Sequence, residues 1–382
     1  MMHGPGIVTL LDNGMLYEGW ESVQVTRSVK QMAGQFSLKV SERWIGGTDG
    51  PASLLSWRIR PGDACVVAYD GLPVITGYVD AYNPKYAAAS HEVMIQGRSK
   101  TGDLCDCSAE ADMPTGEQRD VTLDQAARKL ASKYGIGVKV RADTREKFDV
   151  MRAHPGETVH ELLERYARPA SVALTDDEQG NLVLLQVQDG AGGARLIEGV
   201  NILEASAILR ADNRYSDYEV KGQDHGTDQE YGKPVAQRSA KAEDGAVKRH
   251  RPFRLLNETK TGSGHSKSRA AWEAAARAGE SVRVEVKVVG WTQAPGKLWT
   301  PGEIATVVSP MLALERSLAI ETVRFAQDQG GTITTLSLVP PEALNPKSGA
   351  GDGGKSDGQW TATRPAAAPV VTNPMPGILV QR

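Results

Sequence analysis

Polar and apolar residues alternate without a break over residues 281–288, Ser-Val-Arg-Val-Glu-Val-Lys-Val, the pattern of a strand with one face buried. The same alternation runs over residues 34–40 and 22–29, with shorter apolar-rich runs at 7–10, 92–97 and 332–338. Between them lies a short stretch that the chain uses twice. The first copy has Trp57, then Pro61-Gly62-Asp63, the β-branched run through Val67, and a second run over residues 73–79. The second has Trp299, then Pro301-Gly302-Glu303, the run through Val308, and a second run over residues 317–323. Proline presets φ at the second position of a turn and glycine takes the positive φ after it, so each copy predicts a turn that launches a hairpin. An alternating strand precedes each copy and a closing strand follows it. The order of four strands is shared, and it predicts two copies of one small β domain.

Between the copies the period changes. Leu123, Ala126, Ala127, Leu130, Ala131 and Tyr134 fall on one helical face behind the capping-box spacing of Thr122 and Gln125, and Gly135 supplies the stop. Thr158 and Glu161 repeat that spacing before Val159, Leu162, Leu163, Tyr166 and Ala167, with Pro169 ending the helix. Residues 138–140 predict a strand, and residues 172–175 and 182–185 predict a hairpin around 176–181. The predicted fold is mainly β with α+β: a first small β-barrel over residues 1–100, an α+β middle domain over 101–200, and a second barrel over 201–340. The second copy opens at 215–222 and carries a polar insertion, 223–250, ending in Lys248-Arg249-His250-Arg251, and an Ala-rich helix over 266–279. The insertion reads as a solvated loop, or as a loop ordered only against a neighbouring chain or an acidic partner. Residues 341–382 form a Pro/Gly-rich extended or disordered tail. Its apolar tip, Ile378, Leu379 and Val380, is either a docking peptide for a groove or sheet edge, or a disordered end.

Composition narrows the function. The formal net charge of −3 gives no electrostatic case for binding nucleic acid or an anionic membrane. Three cysteines, Cys65, Cys105 and Cys107, argue against a disulfide framework, and Cys105-Asp106-Cys107 lacks the two further ligands that zinc would need. The N-terminal residues carry neither the basic nor the apolar segment of a signal peptide, and no apolar run is long enough to span a membrane. Residues 349–356, Gly-Ala-Gly-Asp-Gly-Gly-Lys-Ser, fit the phosphate-loop pattern letter for letter. That loop works only between a strand and a helix, and proline-rich sequence on both sides argues against a nucleotide site. His154, His160, Glu161 and Glu164 could be imagined as metal ligands, but Glu161 already serves the cap and no further histidine is close in sequence. No nucleophile elbow, His-Glu-x-x-His or Cys/His pairing occurs, so no catalytic, cofactor or metal site is assigned.

With these residues in view the chain resembles the baseplate hub proteins of contractile phage tails, the Mu-like hub in particular. It is more distantly similar to late-control-D proteins and to the N-terminal part of VgrG spikes in type VI secretion. The residues that carry the resemblance are 92–104, 156–163, 218–222 and the Ala-rich helix leading to Gly290-Trp291, taken in that order within 7–340. The resemblance implies two tail-tube-like barrels per chain and a homotrimer, whose six similar barrels join a three-fold spike to a six-fold tail tube. It implies a structural virion protein of the tail baseplate, assembled in the host cytoplasm. Its expected partners are the spike, the tube protein and other baseplate proteins, with a lumen for DNA; the net charge alone predicts a near-neutral to acidic lumen, through which DNA would pass without specific binding. A hub of a type VI-like or other injection system, and a tail-associated cell-wall hydrolase, are the alternatives.

Overall fold

A computed structural model describes residues 6–41, 59–87, 90–109, 117–168, 170–187, 193–222, 238–256 and 263–344. The first β unit comprises β1 (Val8–Asp12), β2 (Met15–Tyr17), β3 (Ser22–Ser28), β4 (Gln35–Ser41), β5 (Ala64–Tyr69), β6 (Leu72–Ala87) and β7 (Ser90–Ser99). They pair in the order β3-β4-β7-β6-β5-β1-β2. Period-2 alternation decides their faces: Val23 and Val25 point inward with Phe36, Leu38, Val67 and Ile95.

The middle region follows: α1 (Gly102–Asp106), β8 (Glu117–Thr122), α2 (Leu123–Ala131), β9 (Val138–Arg141), β10 (Lys147–Arg152), α3 (Val159–Ala167), β11 (Ala173–Asp176) and β12 (Leu182–Leu185). Both predicted caps form. The Thr158 N–H donates to Glu161 Oε2 at 2.9 Å and the Glu161 N–H to Thr158 Oγ1 at 3.2 Å, while the Thr122 N–H donates to Gln125 Oε1 at 3.2 Å. The predicted apolar faces of both helices meet in one core with Leu104, Met151 and Leu182.

The rest of the chain supplies β13 (Ala194–Ile197), β14 (Glu204–Leu209), β15 (Asp217–Gly222), β16 (Arg238–Glu243), β17 (Pro252–Leu256), α4 (Ser263–Glu280), β18 (Val282–Val289), β19 (Thr292–Ala294), β20 (Lys297–Leu298), β21 (Ile304–Ser309), β22 (Leu314–Asp328) and β23 (Gly331–Val339). In the second β unit the pairing runs β14-β18-β23-β22-β21-β13. Among the described residues the two units are joined by one ladder. β22 pairs antiparallel with β3, from Thr322 opposite Ser28 to Gln327 opposite Val23, so one 13-stranded sheet spans both. Their inward residues share one core, in which Tyr69 stacks on Trp291 at 4.9 Å and Trp291 meets Phe325 at 5.0 Å.

Two expectations change. The strand at 217–222 does not open the second unit; it lies in a separate three-stranded sheet, β16-β15-β17, packed on α4. Its buried Tyr218 and Val220 are covered by that local layer, and β13 and β14 take the opening place instead. Residues 238–243 of the polar insertion form strand β16 rather than loop, paired with β15 along its length. Residues 223–237 of that insertion, Trp57, the phosphate-loop lookalike at 349–356 and the tail tip Ile378, Leu379 and Val380 lie outside the described residues.

Candidate assembly site

The repeated turn is built from the same bonds in both units. The Gly62 N–H donates to Val79 O at 2.7 Å and the Val79 N–H to Asp63 O at 3.0 Å; the Gly302 N–H donates to Ile320 O at 2.8 Å and the Ile320 N–H to Glu303 O at 2.9 Å. The turns themselves close from Asp63 N to Arg60 O at 3.1 Å and from Glu303 N to Thr300 O at 3.4 Å. Gly62 and Gly302 sit at φ 95° and 85°, the left-handed conformation that a type II turn requires at this position. The acidic residue after each glycine is used differently. Asp63 Oδ2 accepts the Arg60 N–H at 2.7 Å, whereas Glu303 accepts Gln293 Nε2 at 2.6 Å and pairs with Lys297 at 3.0 Å.

One residue beyond Val79 and Ile320 the ladder slips in both units, leaving Asp80 and Glu321 as the bulged residues. Sequence reading passed over this second acidic pair, because a bulge shows only once the partner strand is known. Asp80 binds Arg98 at 2.8 Å, and Arg98 also binds Asp106 on α1 at 2.6 Å. The Asp106 and Asp80 carboxylates raise the Arg98 guanidinium, and in return Arg98 holds the Asp106 carboxyl below the usual carboxylate range. Glu321 is buried between Lys30 and Arg283, with the Arg283 contact at 3.3 Å.

The middle region is bolted to this frame by a buried ion pair. Arg27 and Asp176 are each 1 % exposed at the side chain, with Nε to Oδ1 at 3.3 Å. Arg27 Nη2 donates to Asp176 O at 2.8 Å, and Asp176 Oδ2 accepts the Gly34 N–H at 2.9 Å. Thr175 Oγ1 donates to Ser28 O, Thr76 Oγ1 to Glu178 O, and Ser28 Oγ lies 2.8 Å from Thr322 Oγ1, so three regions meet within a few residues.

Elsewhere the residues considered for chemistry have ordinary work. Glu161 belongs to its cap, Glu164 pairs with Arg168 at 2.6 Å, and the His154 N–H donates to Glu157. Burial pushes the Cys65 thiol up to about 12 and the Cys105 thiol to about 11, away from reactive thiolate chemistry. Among the described residues no group of three or more His, Cys, Asp or Glu is placed to hold a metal, and no helix is long and apolar enough to cross a membrane.

Three family models match separate parts of the chain: "Mu phage baseplate assembly protein GpP-like, N-terminal" over residues 7–99, "Baseplate hub protein gp44-like, second domain" over 101–186, and "Mu phage baseplate assembly protein GpP, fourth domain" over 262–347. The chain is 32 % identical over 349 residues to the baseplate hub protein gp44 of Escherichia phage Mu, covering 88 % of each. Among solved structures it matches the 43 kDa tail protein of prophage MuSo2 from Shewanella oneidensis, with TM-score 0.76 and 32 % identity over 89 % of this chain and 99 % of that one. It also shares the fold of a tail protein from Neisseria meningitidis MC58, with TM-score 0.70 and 22 % identity over 90 % of this chain and 99 % of that one. Two β units carrying the same turn and bulge, joined edge to edge and braced by an α+β module, make this a phage tail protein of the hub type. Within that class the chain belongs to the Mu-like baseplate hub family.

Proposed function

We propose that this protein is the structural hub of a contractile tail baseplate, and that three copies form a ring of six similar β units. The ring joins a three-fold spike to a six-fold tail tube and leaves a central channel through which DNA passes without specific binding. The observation that carries this reading is the matched bonding of Gly62 to Val79 and Gly302 to Ile320 in a chain of the hub family. A chain with two equivalent units turns threefold symmetry into near-sixfold shape, and head-to-tail contacts that close cover strand edges otherwise open to aggregation.

On this reading residues 1–100 and the large-sheet strands from β13 (Ala194–Ile197) to β23 (Gly331–Val339) are the repeated domains, the sheet β16-β15-β17 with α4 is an addition to the second, and the α+β region from residue 101 up to β13 is the brace between them. Pro61, Gly62, Asp63, Pro301, Gly302 and Glu303 serve as structural turns rather than as a site of chemistry. The tail tip, Ile378 to Val380, docks on a neighbouring baseplate component. The protein is not an enzyme, and it takes its place in the virion after assembly in the host cytoplasm.

Solution mass is the test. A species near three times 41.0 kDa, with six lobes around a hole in projection, is expected; a strict monomer at high concentration would overturn the ring. Purified protein incubated with cell walls should release nothing, and turnover would overturn the non-enzymatic reading.

A further inference from the structure

Each β unit has a corner beside its Pro-Gly turn, and the two corners are finished differently. Val79 and Ile320 are equivalent, since each is bonded to its own turn. One residue before them, Tyr78 faces Arg98 and Ala319 faces Val339. Each closing strand then runs into a helical turn, α1 after β7 and Pro341–Ala343 after β23, so Asp103 holds the place of Leu344. In the second unit Ala319, Val339 and Leu344 are buried with Val183, Leu185 and Val187 of the middle region. In the first unit the matching corner stands open among the described residues. Tyr78, Arg98 and Asp103 line a groove of about 420 Å³ there, with Gly62, Asp80 and Asp106.

The groove is negative. Arg98 is shared between Asp80 and Asp106, and Asp103 has no bonded partner among the described residues. Three carboxylates thus face one guanidinium. Burial, then the Asp106 charge, raises the Asp103 carboxyl above its ordinary value, the mark of an anion without a cation of its own.

The second unit shows what such a corner takes from its neighbour. Glu321, the counterpart of Asp80, receives the Lys30 ammonium, and the Val29 N–H donates to Glu321 O at 2.9 Å. Both donors belong to the segment that leaves β3 in the adjoining unit. The counterpart of β3 is β14: three residues past Val79 and Ile320 the partners are Ile95 and Leu336, then Leu38 and Val286, then Val23 and Ala205. By count Asp212 stands in the place of Lys30, but Arg210 holds its carboxylate. The cations lie in the loop beside it, between β16 and β17. Arg251 ties that loop down, with Nη1 donating to Ala211 O at 3.0 Å and Nη2 to Asp212 O at 2.7 Å. Lys248 and Arg249 of the loop are exposed and make no ion pair among the described residues.

We propose that the groove between β6, β7 and α1 of one copy receives Lys248 and Arg249 of the next copy, as Glu321 receives Lys30 within the chain. This rests on the ring reading above and names the side chains that make one of its contacts. An apolar corner like that of the second unit does not suit this loop, because its cations would be buried there unpaired. Tyr78, Arg98 and Asp103 in place of Ala319, Val339 and Leu344 keep the first corner open, polar and opposite in charge to the loop.

A water-soluble carbodiimide turns an ammonium–carboxylate contact into an amide. In the parent it is expected to link Lys248 to Asp103 or Asp80 of another chain, read as a cross-linked peptide pair by mass spectrometry. Lys248→Glu/Arg249→Glu leaves the separate chain's melt unchanged, because both side chains are exposed there, and raises the concentration at which the trimer falls apart about tenfold. Asp103→Asn keeps the shape of the groove. It weakens assembly about threefold in the parent but strengthens it in the loop variant, where it relieves repulsion.

If the parent is a trimer but no such link forms, the loop variant assembles as tightly, or Asp103→Asn acts alike in both backgrounds, the groove contact is overturned and the ring stands. If the parent is a monomer at high concentration, both are overturned.

Discussion

Arg27 stands on the inward face of β3 with Val23 and Val25, and a guanidinium there requires an anion within reach. Asp176 supplies it across 149 residues of sequence. The parity of β3 is legible in the sequence and places Arg27 inside; its partner is not, because contact across such a separation leaves no local pattern. Removing one member strands the other in a dry site. Arg27→Met is therefore expected to lose about 3–5 kcal/mol by urea denaturation, and the double variant Arg27→Met/Asp176→Leu to recover more than half of it. Asp12 is the opposite case, a buried carboxylate with no hydrogen-bond partner among the described residues. Burial, then the Asp63 charge, raises its carboxyl above the usual value. A folded-state value raised above the unfolded one means that the folded protein holds this proton more tightly. The group's contribution to stability is thus present below the unfolded value of about 3.9 and lost as pH rises through the folded one. Asp12→Asn should raise the urea midpoint at pH 7, with the gain shrinking to nothing as pH falls toward about 3; an equal gain at both ends would remove titration from the explanation.

The duplicated turn is a repeat of backbone bonds but not of surroundings. A Cβ at Gly62 meets nothing within 4 Å among the described residues, whereas one at Gly302 lies 2.5 Å from Leu185 Cδ2. Both substitutions force a side chain into positive φ, so Gly62→Ala is expected to cost about 1 kcal/mol, and Gly302→Ala about 1–3 kcal/mol more for the clash with β12. Thermal melts of the two variants check the order, and equal losses would show that Leu185 yields freely. Elements whose signal is local were legible: the caps at Thr122 and Thr158, the left-handed Gly135 at φ 64°, and the alternation of β18. β14 was not, since Glu-Ala-Ser-Ala-Ile-Leu has no β-branched run and two of its inward residues are alanines. Nor was the membership of β15. Its own sequence reads as a strand, but whether that strand joins the large sheet or the layer under α4 depends on partners at Arg238–Glu243 and Pro252–Leu256, far from it in sequence.

At the scale of the whole molecule, the question is what kind of force holds a ring of such chains together. The chain is close to neutral, with formal net charge −3, and the charged side chains of β14 and the residue after it already have partners within the chain. Glu204 binds Lys287 at 2.7 Å and Arg210 binds Asp212 at 2.5 Å. Charges without a bonded partner among the described residues remain at Asp103 in the groove and at Lys248 and Arg249 in the loop, opposite in sign. Exposed pairs contribute little singly, and more where several charges meet. Salt screens such charges, with a screening length of about 3 Å at 1 M, but it does not weaken apolar contact. Raising NaCl from about 0.1 M to about 1 M is therefore expected to raise the concentration at which the parent trimer falls apart. In Lys248→Glu/Arg249→Glu the same change is expected to lower it, because there the screened charges repel. Sedimentation at the two salt concentrations separates the cases. The same response in both proteins would mean that charges outside the groove and the loop carry the salt dependence, and the ionic contact would then have to be sought on the middle region.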